Sequence, residues 1–599
     1  MLVLLLVMPA MSRSSQPGAI PTGLTPYLVQ MHIHGHSNHN GNDLPASMES
    51  QCYEAVKNGF DVIWWTDHEF LFGGFDNDIV VDFKETTFEP DSTVLVFAEN
   101  TRRTLTRLAI DRPSQGAHLG VENGILKIHT GSKDGVGKPV KMAIDLASER
   151  GAVTLVNFCR PVTSGLGFRA WGRVHGLGED TLLRIRFDFS WHPNGRHHAV
   201  FDIVRSDGNG PQVLGDTTVV ENVGIGDGAF NLALDLEAAL SGLPNGDDNT
   251  LSTCRIEIGA RNGRFIDVEI DSLKFVSTKP DGENQYRTVE RLAQRYRQAM
   301  GIRQYIGVEV GLLHLPNLPH MDAFLPREEA TYENACLGRN MNRREWIKAV
   351  RDMGGVVSVN HPFGAALRPQ YVQGDDLGSS MSIREISQRA GLVDESYFWR
   401  VARPIVRDGA WGADLLEVGY LFRGAGSLRD HLRLWDLVLA NGVRLMGFGS
   451  SDSHGGIWGP DMEPNPFATW IWSASDTADR LLDAMRSGRM VFGDPFLWKS
   501  AVAFGVEDAF MGDTLFVGNR KSAAGWLYMD PWRNDVSVRL IQMEISKGDE
   551  PNILRSEVLE DPGRGFEIKV GRPCYVRLEI YDKSDVPLAF TNPVYIWPQ

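Results

Sequence analysis

The rhythm of elements along this chain changes more than once, and those changes constrain its fold more than any other feature. From Tyr27 to about Phe70 a strand (YLVQMHIH), a helix (PASMESQCYEAVKNG, ended by Gly59) and a second buried strand (FDVIWWTDH) follow one another. Apolar residues at helical spacing and the closing glycine predict the helix. A β-α-β unit of this kind delivers side chains from strand C-termini to one end of an α/β barrel. From about Asp82 to Thr278 the pattern becomes short alternating strands such as LLRIRFDFSW, HAVFDIVRS and FNLALDL, parted by Gly, Asn and Asp turns. That alternation predicts an antiparallel sandwich. The closing run RIEIGARNGRFIDVEIDSLKF is similar to the last strands of a carbohydrate-binding-type jelly roll.

Helix and strand then alternate again: RTVERLAQRYRQAMG before QYIGVEVGLL, NRREWIKAVRDMGG before VVSVNHP, and LRDHLRLWDLVLANG before RLMGFGSSDSH. After TADRLLDAMRSG the remainder is strand-like, with VRLIQMEIS, GFEIKV, CYVRLEIYD and NPVYIW. The division this predicts is a leading segment over 1–25, an α/β unit over 26–81 and 283–494, an inserted jelly-roll-like sandwich over 82–282, and a small β-sandwich over 495–599.

Composition excludes some classes. A net charge of −16, from 76 acidic and 60 basic residues, disfavours nonspecific attraction to nucleic acid or anionic membranes. The five cysteines (Cys52, Cys159, Cys254, Cys336, Cys574) lie far apart with no C-x-x-C pair, which argues against a zinc knuckle or a disulfide framework. The opening MLVLLLVMPAMSRSSQPGA resembles the core of a secretory signal, with Ala10-Met11-Ser12 as the cleavage site. Export to the periplasm or the outside is the expectation; a mis-assigned start and a cytoplasmic protein are the alternative. The run is too short to span a bilayer.

The chemistry concentrates in the histidines. In QMHIHGHSNHNG, His32 and His34 stand two apart on a strand and share a face, while His36 and His39 follow on the loop. WWTDHE puts Asp67 and His68 at the next strand end, IGVEVG puts Glu309 in an otherwise apolar strand, SVNHPF puts His361 at another end, and GFGSSDSH adds Asp452 and His454. A carboxylate in an apolar strand costs several kcal/mol unless it is paired or bound to metal. One such residue is often a structural ion pair; five strand ends each offering His, Asp or Glu point to metal.

The ordered set H-x-H, T-D-H, G-x-E, N-H-P and S-D-x-H resembles the PHP (polymerase and histidinol phosphatase) family over about Tyr27–Phe70 and Gln285–Phe492. The resemblance implies a distorted seven-stranded β/α barrel, (β/α)7, holding two or three divalent ions (Zn, Mn or Fe). It implies His32, His34, Glu309 and Asp452 around one ion, and Glu309 bridging to a second held by His361 and a further histidine. His39, His68 and His454 would surround a third, with His36 as the substitute for His39. Spacing favours His320 as the further histidine, with His314 in competition. Glu309, Asp452 and His361 are the residues closest to catalysis in this reading, and Asp67 is expected to buttress a ligand.

For substrate contact the candidates are Tyr420, Phe422 and Arg423, which follow the strand LLEVG, together with one of Trp64 and Trp65. Arg423 would bind an anion or be solvated; Glu417 would be a further ligand or a satisfied buried acid. Hydrolysis of a phosphate ester by metal-activated water is the first expectation. The alternatives are hydrolysis of an amide, ester or carbamate on the same fold, as in the carbaryl-hydrolase-like branch, and a glycan-binding protein whose barrel is degenerate. A small-molecule or glycan-linked substrate is expected, with carbohydrate binding by the inserted sandwich as a further partner interaction.

Overall fold

The computed structural model describes residues 20–35, 46–69, 79–82, 94–98, 105–110, 117–131, 140–145, 160–205, 210–260, 264–311, 319–365, 386–387, 390–454, 465–548 and 551–598. The signal-like segment, His36, His39 and His314 lie outside them.

The α/β portion is built from β1 (Thr25–Ile33), α1 (Met48–Lys57), β2 (Val62–Trp65), α2 (Gly282–Met300), β3 (Arg303–Val310), β4 (Met321–Phe324), α3 (Arg343–Asp352), β5 (Val356–Val359), α4 (Glu395–Arg407), β6 (Leu415–Gly419), α5 (Leu428–Ala440), β7 (Met446–Gly449), β8 (Ala468–Ser473), α6 (Ala478–Arg486) and β9 (Met490–Gly493). The α2 helix shows why these segments are helical. The Asp281 side chain caps its start, Gly301 ends it at φ 76°, and Tyr286, Val289, Ala293 and Tyr296 form its buried stripe.

Neighbouring strands pair in the order β7-β6-β5-β4-β3-β2-β1. The pairs β1–β2, β2–β3, β5–β6 and β6–β7 are parallel, whereas β4 is antiparallel to both β3 and β5. This departs from a uniform β/α alternation for a plain reason. Only residues 311–320 join β3 to β4, fewer than the roughly a dozen that a parallel crossover needs. Beyond β7 the chain returns to β1: the Asp452 N–H donates to the His32 carbonyl at 2.9 Å, and the His34 N–H donates to the Ser453 carbonyl at 3.0 Å. The first half of β1 pairs instead with β8. The C-terminal ends of β1, β2, β3, β5 and β6 and the segment after β7 therefore gather on one side.

Among the described residues a short pair, Arg160–Pro161 with Thr250–Leu251, stands apart from the two large sheets of the insertion. One of these sheets has six strands, centred on Leu166–His175 and Phe265–Ser277; the other has eight, centred on Thr181–His192 and Thr253–Ala260. Phe168 of the first meets Phe187 of the second at 5.1 Å between ring centroids. The apolar core around them shares no residue with the core of the α/β portion. The two ends of the insertion are neighbours, since Ile79–Asp82 pairs with the 272–275 stretch of its last strand. The pairing thus starts three residues before the boundary expected at 82. In the α/β sheet β9 pairs with Pro587–Thr591, so part of the C-terminal strands continues that sheet, while Ala501–Val506, Ala509–Phe510, Ser522–Asp530 and Phe566–Lys569 form a separate four-stranded sheet that shares the same core. Arg577 ties the continuing strands to α5 through a two-pronged ion pair with Asp436.

Where the insertion meets α1 it buries a polar cluster. The His192 and His197 rings stack at 3.8 Å, and His197 Nδ1 accepts from Asn249 Nδ2 at 3.0 Å. Burial, reinforced by His192, brings the His197 imidazole down to about 3. Folded His197 is therefore neutral, while the unfolded chain binds a proton there below its ordinary pKa of about 6.5. The stability it contributes is fully present above that value and is lost as pH falls from there toward 3, by at most about 1.4 kcal/mol per pH unit. We expect His197→Asn, which keeps an acceptor but does not titrate, to flatten the pH dependence of urea unfolding in that window. An unchanged slope would show that His197 does not titrate on unfolding.

Candidate metal centre

Two carboxylates sit at the middle of the gathered strand ends. Glu309 and Asp452 are almost wholly buried, at 0% and 3% exposure. Around Glu309, His320 Nδ1 lies 2.7 Å and His361 Nε2 3.0 Å from Oε1. His68 Nδ1 lies 2.8 Å, His34 Nε2 3.4 Å and His32 Nε2 3.5 Å from Oε2. Around Asp452, His34 Nε2 lies 2.9 Å and His32 Nε2 3.3 Å from Oδ1, and the His454 ring stacks on His34 at 3.9 Å. Four sets of three have donor atoms within 4.8 Å of one another: His32 with His34 and Asp452, His32 with Glu309 and His361, His68 with Glu309 and His320, and His34 with His68 and His454. The structure thus brings together His32, His34, His68, Glu309, His320, His361, Asp452 and His454. His34 is shared with the His68–His454 group, a closer weave than three separate centres.

Local structure explains how each side chain arrives. The pleat of β1 puts His32 and His34 on one face. His68 and Glu309 are opposite each other in a single parallel bridge between strand ends. His361 and Asp452 hold positive φ angles, 22° and 50°, which non-glycine residues adopt at a cost of about 1–3 kcal/mol and which cluster at functional sites.

Acids and imidazoles are buried together here. Four acids surround His32: Glu309, Asp322, Glu417 and Asp452, all 0–3% exposed, and burial together with Glu309 and Glu417 pushes the Asp322 carboxyl well above its usual range. Burial lowers the His32 pKa, but these four acids raise it well above its usual value, so a proton stands where negative charge converges. Burial opposes ionisation of Glu309, yet His68, His320 and His32 hold its carboxyl well below the ordinary range. Burial likewise opposes ionisation of Asp452, and Arg423 with His32 outweighs it. Burial brings His34 down to about 4 and His454 well below its usual value, leaving neutral imidazoles with lone pairs to offer. Buried His32 Nε2 and Glu309 Oε2 face cluster side chains at 2.8–3.5 Å without well-aligned hydrogen bonds. Imidazole and carboxylate donors together suit divalent transition-metal ions. The residues fit divalent ions.

The remaining expected residues support the centre. Asp67 does not hold an imidazole: its Oδ1 accepts the Gly35 N–H, fixing the backbone after His34, and burial pushes its carboxyl up to about 7. Glu417 Oε1 meets His32 Nδ1 at 3.0 Å and accepts from the Ser450 hydroxyl, while Oε2 accepts the His361 N–H at 2.7 Å. It behaves as a satisfied acid that orients two histidines. Arg423 is neither solvated nor bare, for its guanidinium pairs with Asp452 Oδ2. Tyr420 and Phe422 are buried, as are both Trp64 and Trp65. Trp65 Nε1 donates to Gln304.

Two residues escaped the sequence reading. Asp322 is fully buried, with Oδ2 3.5 Å from His32 Nδ1. Its signal was available, because it is the only acid of the strand MDAF, as Glu309 is of its own. Glu69, directly after His68, accepts the Gly311 N–H at 3.0 Å and donates its own N–H to the Glu309 carbonyl, locking β3 to the end of β2.

No protein-family model matches this chain, and no curated protein sequence matches it. Among solved structures, a metagenome-derived glycoside hydrolase family 12 endoglucanase is 11% identical, with 34% of this chain and 99% of that one covered and a TM-score of 0.20. Endoglucanase Cel12A of Rhodothermus marinus is 10% identical, covering 33% and 100%, with a TM-score of 0.19. A two-domain protein of Bacteroides vulgatus containing a predicted PHP-like metal-dependent phosphoesterase is 14% identical, covering 51% and 78%, with a TM-score of 0.22. Likenesses this slight carry no argument, and the site has to be read from its own geometry.

Glu309 touches more of the imidazoles than any other acid here, so it gives the sharpest test of the centre. Glu309→Gln keeps the shape and removes the charge. We expect its affinity for Mn²⁺ or Zn²⁺ to fall by at least the roughly 100-fold that loss of an outer partner can reach, measured by chelator competition. Full metal content in this variant would make Glu309 a structural acid only.

Proposed function

We propose that this chain is a metal-dependent hydrolase of the PHP type that cleaves a phosphate ester. The observation that carries the proposal is the wedging of Glu309 and Asp452 among six imidazoles drawn from separate strand ends. In this reading β1 to β7 make up the family's distorted seven-stranded β/α barrel over residues 26–81 and 283–494. Residues 82–282 are inserted into it and 495–599 are appended.

His32, His34, Glu309 and Asp452 would hold one ion, Glu309, His320 and His361 a second, and His68 and His454, with His39, a third. Bound divalent ions supply an acidified water and positive charge against phosphoryl oxygens. The chain's own residues do the rest. Glu417 and Asp322 flank His32 Nδ1, so the Nε2 lone pair faces the centre. Arg423 keeps Asp452 ionised and stands 19% exposed at the edge of the site, where it adds positive charge for an anionic substrate. Burial of His32, His34, Glu309 and Asp452 limits the water that would screen these charges.

After removal of metal and reloading with Mn²⁺ or Zn²⁺, p-nitrophenyl phosphate should be turned over, and p-nitrophenyl acetate and carbamate should not. Turnover of acetate or carbamate alone would replace the phosphoesterase reading with the amide, ester or carbamate one. Metal-free protein that binds glycan and hydrolyses nothing would make the chain a binding protein.

His39 carries the proposed third ion. His39→Ala should retain two ions per chain by elemental analysis while turnover falls by about 100-fold or more, because water activation or leaving-group stabilisation is lost. Equal metal content and equal turnover would remove His39 from the site and leave His36 to be tested.

A further inference from the structure

The inserted sandwich touches the α/β portion at the start of α1, and the contact is unusual. An α-helix begins with N–H groups that lack partners within the helix. Here the Ser47 hydroxyl accepts one of them, from Ser50 at 3.0 Å. The N–H groups of Met48 and Glu49 donate to Asp248, at 3.2 and 2.9 Å, and Asp248 belongs to the insertion, 200 residues from Met48. Asp248 is fully buried and takes a further hydrogen bond from the Tyr296 hydroxyl of α2 at 2.8 Å. Its loop is tightly built: Asn245 holds φ at 51°, and any Cβ on Gly246 would run into the Leu240 carbonyl. A second strand of the insertion joins in, since the Trp191 carbonyl accepts both the N–H and the hydroxyl of Ser47. His192 Nδ1 meets Glu49 Oε2 at 2.8 Å.

One turn further along α1 this scaffold reaches the metal centre. The fully buried Gln51 donates its Nε2 to the His34 carbonyl at 2.6 Å. The N–H of the same peptide unit, that of Gly35, donates to Asp67, and the N–H of His34 itself donates to the Ser453 carbonyl. Gln51 is thus the one side chain from α1 that reaches the His34 backbone through a hydrogen bond among the described residues. Where it sits depends on where the helix starts, and the helix start is gripped by the insertion.

We propose that the inserted sandwich is a working part of the metal centre, with Asp248 as a positioning residue that acts through α1 and Gln51 to set His34. This rests on the metal-hydrolase reading above. The insertion's role is then to aim a ligand it does not touch, and the charge of Asp248 is well suited to the task. A carboxylate at a helix N-terminus is favoured by the helix dipole and accepts two N–H groups at once. An amide in its place has a single acceptor oxygen and turns an NH₂ group against the second N–H.

The test compares Mn²⁺ affinity, by chelator competition, in the full-length protein and three variants. Asp248→Asn and Gln51→Leu should each weaken binding by about tenfold or more, the range known for partners that orient a metal-ligating histidine. Combined, they should weaken it little further than either alone, because they lie on one path. Asp247→Asn is the control. Its carboxylate forms ion pairs with Arg291 and Arg295 at the same interface but makes no hydrogen bond to α1, and it should bind Mn²⁺ as wild type does. Near-UV circular dichroism and thermal unfolding report whether each variant is folded. Wild-type affinity in folded Asp248→Asn and Gln51→Leu would overturn the proposal, as would lowered thermal stability with unchanged affinity. If Asp248→Asn does not fold, Gln51→Leu alone decides. A wild-type chain that binds no divalent ion would instead overturn the hydrolase reading, and this inference with it.

Discussion

The burial of four acids at one place, with imidazoles and Arg423 set among them, is the constraint on which the rest of this structure depends. Glu309, Asp322, Glu417 and Asp452 are all out of water, and Arg423 is the cation that the described residues place against them. Burying one unpaired carboxylate already costs more than most folds can spare. The protein meets that cost with imidazoles, which offer either a proton or a lone pair. With a divalent ion the lone pairs are used; without one, the proton drawn onto His32 takes its place. Either way the carboxylates hold the strand ends together only if something positive stands between them.

Keeping that cluster in register requires more backbone than the ligands themselves. The segment after β7 must return to β1, and it does so through two peptide hydrogen bonds that flank His32 and His34. Asp452 and His361 take up unfavourable backbone angles, which the surrounding hydrogen bonds sustain. The short link between β3 and β4 forces an antiparallel strand into an otherwise parallel run, and that strand carries Asp322 behind His32. The insertion adds a remote support, since Asp248 caps a helix whose Gln51 reaches the His34 carbonyl.

Much of the site was legible in the residues alone, because its signals are local. An H-x-H at the end of an apolar strand, an acid isolated in another and an S-D-x-H after a glycine-rich one each report a side chain that would be costly anywhere but in a polar cluster. The sandwich was legible for the same reason, since strict alternation is a property of the pleat. What the residues did not give was side-chain direction. Tyr420 and Phe422 follow a strand end, where loops meet substrate, yet both are buried. Asp67, expected to buttress a ligand, accepts the Gly35 N–H directly after His34. Neighbouring residues give no sign of which of these outcomes applies.

By itself the sequence determined which donor types are present and where along each strand they fall, since the two-residue pleat and the helical turn act over a few residues. It also determined that the α/β pattern is interrupted, because the period changes at the interruption. The tertiary structure alone decided which imidazole faces which carboxylate, that His34 is shared between two groups, that β4 runs backwards, and that Asp248 caps α1. Those outcomes depend on strand register and on contacts between segments as much as 200 residues apart. Such contacts are fixed by packing and chain closure over the whole molecule, and no local period encodes them.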